Sequence, residues 1–152
     1  MRRSAVLLGL ALLLVACSKL DTPSETSDGD GGGLGGGRGS GEPVDPTATF
    51  MRVQNEIFTP GCSQLACHDT LGRQEQLVLI AGQSFSNIVN VASNQMPQLQ
   101  RIAPNDPANS YLYRKVVGAG ITGDRMPQNL SPLTDAQTKL LRDWIRRGAP
   151  ND

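Results

Sequence analysis

Hydrophobic residues recur at spacings of three and four along three segments of the sequence, and this pattern predicts three main helices. The first segment, ATFMRVQNEIF, ends at Pro60-Gly61. The second, NDPANSYLYRKVVG, offers Asp106 as a capping residue, Pro107 at the first helical position and Gly118 as the terminator. The apolar positions of these two segments are Phe50, Val53, Ile57 and Phe58 in the first and Leu112 and Val116 in the second.

The last predicted helix has the strongest local signals. In TDAQ the hydroxyl of Thr134 can accept from the amide of Gln137 while the Gln137 side chain reaches back, which is a capping box. Gly148 marks its end, and a shorter helical piece is predicted in SFSNIVNV. QLVLI, residues 76–80, is the longest run with any strand character, so the class predicted is all-α with long loops. One face of the last helix is formed by Leu140, Leu141, Trp144 and Ile145.

The N-terminus carries the features of a secretory signal. Two arginines follow Met1, and an apolar run extends from Ala5 to Ala16, which is too short to cross a bilayer as a stable helix. The run closes on LVAC, which resembles the lipobox of bacterial lipoproteins. That resemblance implies cleavage before Cys17, with lipid on its sulfur and on the new amino terminus. Because Ser18 rather than Asp follows, the sorting habit of that family favours the outer membrane of the cell envelope, facing the periplasm or the exterior.

A glycine-rich stretch separates this signal from the folded part. Nine glycines occupy the thirteen residues 29–41, and no apolar periodicity is visible between Ser18 and Thr47. Such a segment cannot bury enough surface to offset its backbone entropy, so it should behave as a disordered, flexible tether. The predicted organisation is a lipoprotein signal peptide at 1–16, the lipidated cysteine with its linker at 17–47, and one folded domain at 48–152.

The candidate chemistry of the chain lies in GCSQLACHDT, which holds two cysteines and the only histidine. The chain has 152 residues and a formal net charge of zero, so its charge suggests no nucleic-acid partner. With Cys17 lipidated, Cys62 and Cys67 are left in an oxidising compartment. A tetrahedral zinc site would lack its fourth protein ligand, and a nucleophilic Cys–His pair normally draws its base from elsewhere in the fold. A plain disulfide would not need the adjacent histidine.

Covalent attachment of haem would use every residue of this cluster. In the usual pattern, Cys-x-x-Cys-His, both sulfurs form thioethers and the histidine is an axial ligand of the iron. Here four residues separate Cys62 from Cys67, but Cys67 and His68 remain adjacent. The sixth ligand in such proteins is commonly a methionine, and two MPQ motifs supply Met96 and Met126. Met126 is favoured because it lies in a glycine-rich loop, stiffened by the next proline, just ahead of the last helix.

Several segments together resemble the class I cytochrome c domain, in particular a divergent branch found in secreted bacterial proteins. They are FTPGC at the end of the first helix, the Cys-x4-Cys-His motif, NDPANSYLYRKV, the DRMPQ loop and LSPLTDAQTKLLRDWIRRGAP. The resemblance covers residues 50–149, which is nearly all of the folded domain. It implies about three main helices around a covalently bound haem c, with one-electron transfer as the function.

The resemblance also implies a role for individual residues. Cys62 and Cys67 match the thioether cysteines, His68 the proximal iron ligand and Met126 the distal one. Trp144 falls where the final helix of that family faces the haem or its propionates. With both axial positions filled there is no open site for a substrate, so an electron carrier is expected rather than an enzyme. Its partners would be redox proteins of the cell envelope and the membrane that holds its lipid, with no small-molecule substrate.

Two other interpretations remain open. One is a lipid-anchored binding or structural module in which Cys62 and Cys67 form a disulfide without haem. The other is a copper site, for which Cys, His and Met are suitable soft ligands. On the last helix Arg142, Arg146 and Arg147 suit a docking patch or, more commonly, a solvated helix face. Four side chains could hydrogen-bond the haem propionates: Arg101, Tyr111, Tyr113 and Arg125.

Overall fold

The computed structural model describes residues 41–152. The predicted signal peptide at 1–16, the lipidation site Cys17 and the linker as far as residue 40 lie outside the described residues. Within residues 41–152 the chain is helical and rich in loops, and its only β-type pairings are isolated bridges. This confirms the prediction of an all-α class. None of the helices in the described part is long and apolar enough to cross a membrane.

Four α-helices form the scaffold of the domain. They are α1 at Phe50–Val53, α2 at Ser84–Ile88, α3 at Tyr111–Val117 and α4 at Asp135–Arg146. α1 continues without a break into a π-helical segment, and two single 3₁₀ turns lie at Gln74–Gln76 and Pro107–Asn109. α4 packs against both α1 and α3, so the core lies between the first and last helices of the domain. The largest fully buried side chains of that core are Ile57, Phe58, Ile88, Ile102, Leu141, Trp144 and Ile145.

The first helix widens after one turn. Thr49 caps α1 by accepting from the amide of Arg52 over 3.3 Å, and from Gln54 to Cys62 the backbone is π-helical. Pro60 lies inside this segment and has no N–H to offer the carbonyl of Glu56, four residues earlier. The Gln137 side chain of α4 donates to the Glu56 carbonyl over 2.9 Å, which joins this segment to α4. The predicted α-helix is therefore a short α-helical turn followed by a wider one, and it extends to Cys62.

The predicted second helix is divided into two pieces. The side chain of Asp106 accepts from the amide of Asn109 over 3.1 Å, as the capping prediction requires, but the turn it caps is only the 3₁₀ turn Pro107–Asn109. The amides of Tyr111 and Leu112 donate to carbonyls of residues 100 and 101, at 2.8 and 2.9 Å. A continuous helix would have needed those amides for its own ladder. α3 therefore begins at Tyr111, and it ends at Gly118 with φ +78°, as predicted.

The last helix forms as its sequence predicts. Thr134 and Gln137 make both halves of the capping box, and Gly148, at φ +92°, lies just beyond the end of α4. The predicted apolar face is buried, with Leu140, Leu141, Trp144 and Ile145 each at most 5% exposed. Trp144 packs its ring 5.4 Å from that of Phe50 and donates from Nε1 to the Pro150 carbonyl over 2.9 Å. The indole thus joins α4 to α1 and to the C-terminal residues.

The chain contacts α4 before the predicted domain boundary at residue 48. Arg142 pairs with the carboxylate of Glu42 at 2.5 Å, and the amide of Asp45 donates to Asp143 over 3.2 Å. The Asp143 side chain is completely buried and also pairs with Lys139 and Arg146. Burial alone raises the pKa of Asp143, but hydrogen bonds from Lys139, the Asp45 amide and Arg142 outweigh it and hold the pKa below its ordinary value. The packed body therefore begins near Glu42.

Replacement of Asp143 by asparagine should lower the free energy of unfolding by about 2 kcal/mol at pH 7. Removing one partner of a buried ion pair costs about 3–5 kcal/mol, and the cost is smaller here because the cations are partly exposed and can reach water. Since the folded pKa is depressed, the carboxylate stabilises the fold above the unfolded pKa of about 3.9. Urea unfolding from pH 7 downward should show the difference between wild type and Asp143→Asn vanish as the pH falls through the folded pKa.

Asp135, in the exposed first turn of α4, supplies the matched control. Asp135→Asn should cost no more than about 1 kcal/mol, the contribution of a carboxylate near a helix N-terminus. A loss in Asp143→Asn no larger than this control would contradict the role of the buried carboxylate.

Candidate functional site

One cavity of about 520 Å³ opens between the first helix, α3 and the loop ahead of α4. Both cysteines, His68 and Met126 line it, so the fold brings all four predicted haem-site residues to one place. Its volume lies within the range of about 300–1,000 Å³ that small-molecule and cofactor sites occupy. Much of the remaining wall is apolar, formed by Ile57, Phe58, Leu77, Leu79, Leu112, Val116 and Leu130.

The segment between the two cysteines forms a closed turn. Cys62 ends the π-helical segment, and the amide of His68 donates back to the Cys62 carbonyl over 3.2 Å. The amide of Cys67 donates to the Gln64 carbonyl over 3.0 Å, while Leu65 projects into solvent at 76% exposure. The two additional residues are thus accommodated as an outward bulge. Cys67 and His68 remain at the cavity despite the longer spacing.

The loop after His68 is packed tightly against the bulge. The Asp69 carboxylate accepts from the amides of Leu71 and Gly72, which folds the chain back on itself. A Cβ atom at Gly72 would lie 2.5 Å from the carbonyl carbon of Ala66 and 2.7 Å from the carbonyl oxygen of Cys67. Only glycine therefore fits where the two backbone segments cross.

Gly72→Ala should displace the backbone of Cys67 and so disturb the cysteine–histidine turn. Atoms cannot approach to 2.5 Å without rearrangement, and such overpacking costs about 1–3 kcal/mol. Thermal unfolding of the two proteins measures the loss. Gly61→Ala is the control, because a Cβ at Gly61 meets no atom within 4 Å. Equal stability of Gly72→Ala and wild type would show that the close approach does not constrain the site.

His68 is half-buried, and one of its ring nitrogens lacks a partner. Nδ1 is a buried side-chain nitrogen that makes no hydrogen bond of normal geometry, the one such case in the part of the chain described. Burial lowers the pKa of His68 most, while the backbone of Leu77 and Gln74 favours the protonated ring and opposes this. The backbone of His68 is held by its carbonyl, which accepts from the Leu79 amide over 2.7 Å. The imidazole is therefore mainly neutral at pH 7, the form that binds metal ions.

Both cysteines are free thiols in the structure. The pKa of Cys62 is raised to about 12, first because the thiol is buried and second because Cys67 lies nearby. Its Sγ lies 3.5 Å from the Ile57 carbonyl oxygen, to which the thiol can donate. A buried, protonated thiol is a poor nucleophile, since the thiolate is the reactive form. Cys62 is therefore unsuited to act as the nucleophile of a Cys–His pair.

The two candidate methionines lie in different surroundings. Met126 lines the cavity, packs against the core and is fixed through its amide, which donates to the Lys115 carbonyl over 2.9 Å. Met96 does not line it, and its sulfur accepts a hydrogen bond from the Gln98 side chain over 3.2 Å. The geometry thus agrees with the preference for Met126, whose role as an iron ligand stays a prediction.

Two buried cations face the same cavity. Arg101 is 8% exposed and donates to the carbonyls of Asn87 and Glu75, at 2.8 and 3.0 Å. Lys115 is 7% exposed and donates to the Thr122 carbonyl over 3.0 Å. Neither forms a salt bridge within residues 41–152. Lys115 was not among the site residues predicted from the sequence, although it lies four residues after Tyr111 and so shares its face of α3.

Several residues singled out in the sequence lie elsewhere. Of the four candidate propionate partners, Arg101 and Tyr111 line the cavity, but Tyr113 and Arg125 do not. Trp144 does not line it either, because its ring packs against Phe50 of α1, so the cavity gives no support to the expectation that Trp144 faces a haem. The three arginines in and immediately after α4 are not a free patch. All three are paired: Arg142 with Glu42, Arg146 with Asp143, and Arg147 with Asp152.

Comparison of the chain with protein-family models, with curated proteins and with solved structures finds no match. The function must therefore be inferred from the residues of the site itself. Residues 41–152 contain no group of three or more His, Cys, Asp or Glu side chains arranged to hold a metal ion. The cavity wall instead combines two thiols, a neutral imidazole, a thioether, apolar side chains, two buried cations and the exposed carboxylates of Glu75 and Asp124. This donor set fits a large apolar cofactor with acidic groups better than a bare metal ion.

Proposed function

We propose that this protein is a monohaem c-type cytochrome, a one-electron carrier held at the bacterial cell envelope by lipid on Cys17. The observation that carries the proposal is the single cavity wall that contains both cysteines, His68 and Met126. These are the residue types that attach haem and complete its iron coordination. Cys62, Cys67 and His68 are close in sequence, but Met126 lies 58 positions after His68, so its place in the same cavity is brought about by the fold.

Each of the four residues has one task in this proposal. Cys62 and Cys67 would hold the cofactor through thioether bonds, and His68 and Met126 would bind its iron. When bound, haem supplies an Fe(III)/Fe(II) couple that takes up and releases one electron. A methionine thioether favours the reduced iron and so raises the reduction potential. With His68 and Met126 both bound to the iron, no position on it would be left for a substrate, which is why a carrier is proposed rather than an enzyme.

The rest of the wall supports the same occupant. Apolar side chains such as Leu77, Leu79 and Val116 would exclude water from the iron and disfavour the more charged ferric state. Arg101 and Lys115 are buried cations, and burial of a charge is costly unless an opposite charge compensates it. Haem carries two acidic propionates, which would supply that compensation. An occupant that is apolar in its body and acidic at one edge therefore suits this cavity.

Intact-mass spectrometry of the protein purified from the membrane of its own host tests the proposal. After acid denaturation, we expect the mass of the lipidated chain from Cys17 to Asp152 plus one haem. Covalent attachment is the deciding property, because a copper ion or a loosely bound cofactor is lost on denaturation. A mass two hydrogens below that of the free thiols, with no haem increment, would contradict the proposal and indicate a disulfide between Cys62 and Cys67.

Alkylation of the denatured protein provides an independent control. Iodoacetamide reacts with free thiols but not with thioethers, so we expect no addition at Cys62 or Cys67, with or without prior reduction. Two additions without reduction would indicate free thiols, and two additions only after reduction would indicate the disulfide. One addition would indicate attachment through a single cysteine, as the longer spacing allows.

A further inference from the structure

The hydroxyl of Tyr111, in α3, joins three segments of the cavity wall. Its oxygen accepts a hydrogen bond from the Thr122 amide over 3.0 Å and donates one to Oε1 of Gln95 over 3.2 Å. A phenolic hydroxyl can do both at once because it has one proton and lone pairs to spare. Tyr111 is only 4% exposed, so water competes poorly for these bonds. The tyrosine thus ties α3 to the loop that precedes Met126 and to the segment around Gln95.

Lys115, one helical turn further along α3, holds the same loop at two points. Its Nζ donates to the Thr122 carbonyl over 3.0 Å, and its own carbonyl accepts from the Met126 amide over 2.9 Å. Both backbone groups of Thr122 are therefore bonded to side chains of α3, the N–H to Tyr111 and the carbonyl to Lys115. Together these bonds hold residues 118–125, the loop that immediately precedes Met126, against α3.

The loop contributes one further bond to α3, from Nε of Arg125 to the Val116 carbonyl over 2.8 Å, but its backbone is otherwise poorly constrained. Gly120 and Gly123 lie at φ +60° and +67°, in a region that glycine visits as readily as any other. Thr122 is exposed, and between Gly118 and Arg125 no residue of this loop belongs to the buried core. A segment with this composition samples many conformations unless it is held from outside. Tyr111 and Lys115 therefore supply, together with Arg125, the bonds that position the backbone just before Met126.

We propose that Tyr111 and Lys115 are positioning residues that latch the loop at residues 118–125 to α3 and thereby hold the Met126 thioether at the cavity. The latch consists of bonds within the chain itself, and only its consequence for iron ligation rests on the proposed function. Loss of the Tyr111 hydroxyl leaves the Thr122 amide without its acceptor. The loop then opens more often, and Met126 leaves the cavity more often with it.

Tyr111→Phe tests this latch in the full-length protein, because it removes only the hydroxyl. We expect the Thr122 amide to exchange with deuterated water roughly 3- to 10-fold faster, the factor that one neutral hydrogen bond contributes. Added imidazole should bind the ferric protein faster by a similar factor, because displacement of Met126 requires the loop to open. Lys115→Met is the second variant, which keeps the aliphatic stem but removes the ammonium, and it should accelerate both processes as well.

Tyr113→Phe is the matched control. Tyr113 lies on the same helix, is half-buried and makes no side-chain hydrogen bond within the described residues, so neither rate should change. Unchanged Thr122 exchange in both Tyr111→Phe and Lys115→Met would overturn the latch. Faster exchange with unchanged imidazole binding would overturn its role in holding Met126. Absence of covalent haem would contradict the proposed function, while Thr122 exchange would still decide whether the latch exists.

Discussion

Cys67→Ser is expected to abolish covalent haem attachment, whereas Cys62→Ser should retain it through one thioether. Cys67 adjoins His68, so a bond at Cys67 fixes the cofactor beside the proximal ligand. Cys62 lies on the other side of the bulge at residues 63–66, and its loss leaves that pair intact. Haem-stained denaturing gels measure attachment, and the reduced spectrum in alkaline pyridine distinguishes two thioethers from one.

Ser63→Ala is a suitable control for the cysteine variants. Ser63 lies in the same turn, and its hydroxyl donates only to the Thr59 carbonyl over 3.4 Å, so attachment should be unchanged. Covalent haem that survives in Cys67→Ser at the wild-type level would contradict the assignment of this cysteine. Loss of all haem in Cys62→Ser would show that the longer spacing still requires both bonds.

Met126→Ala should leave the haem attached but lower its reduction potential by on the order of 0.1–0.3 V. Axial ligands move haem potentials across about 0.8 V, and a methionine sulfur favours the ferrous state. The weak charge-transfer band that marks methionine on ferric haem should disappear at the same time. A redox titration followed by absorption measures both changes in one preparation.

Met96→Ala provides the comparison for this experiment. Met96 lies outside the cavity and its sulfur accepts from Gln98, so its removal should change neither the potential nor the band. If Met96→Ala alone lowers the potential, the axial assignment is wrong. If neither variant does so, a side chain other than methionine is the sixth ligand.

Features set by residues close in sequence could be predicted. The capping box of Thr134 and Gln137, the buried face of α4 and the left-handed Gly118 depend on contacts within a few residues. The division of the second helix could not, since it arises where the amides of Tyr111 and Leu112 find carbonyls in a preceding loop. Likewise, the π-helical backbone from Gln54 to Cys62 could not be predicted, because hydrophobic spacing over so few turns does not distinguish an α-helix from a π-helix.

The same distinction, between features set by nearby residues and features set by distant ones, applies to the candidate site. The cysteine–histidine motif and the Met-Pro loop stand out because their residue types are chemically specific. The direction of Trp144 could not be inferred, since a helical pattern indicates that a side chain is buried but not what it packs against. The pairing of Glu42 and Asp45 with α4 joins residues about a hundred positions apart. Lys115 was missed because lysine is rarely buried, and only its place beside Leu112 and Val116 hints at it.

An absorption spectrum of the protein from the membrane of its own host tests the central claim most directly. The sample is reduced with dithionite in alkaline pyridine, which replaces the axial ligands and leaves only the attachment to be observed. We expect the sharp α-band of a c-type haem, at a position that reports whether one or both of Cys62 and Cys67 carry it. A spectrum without a Soret band or an α-band would contradict the assignment of this protein as a haem-bearing electron carrier.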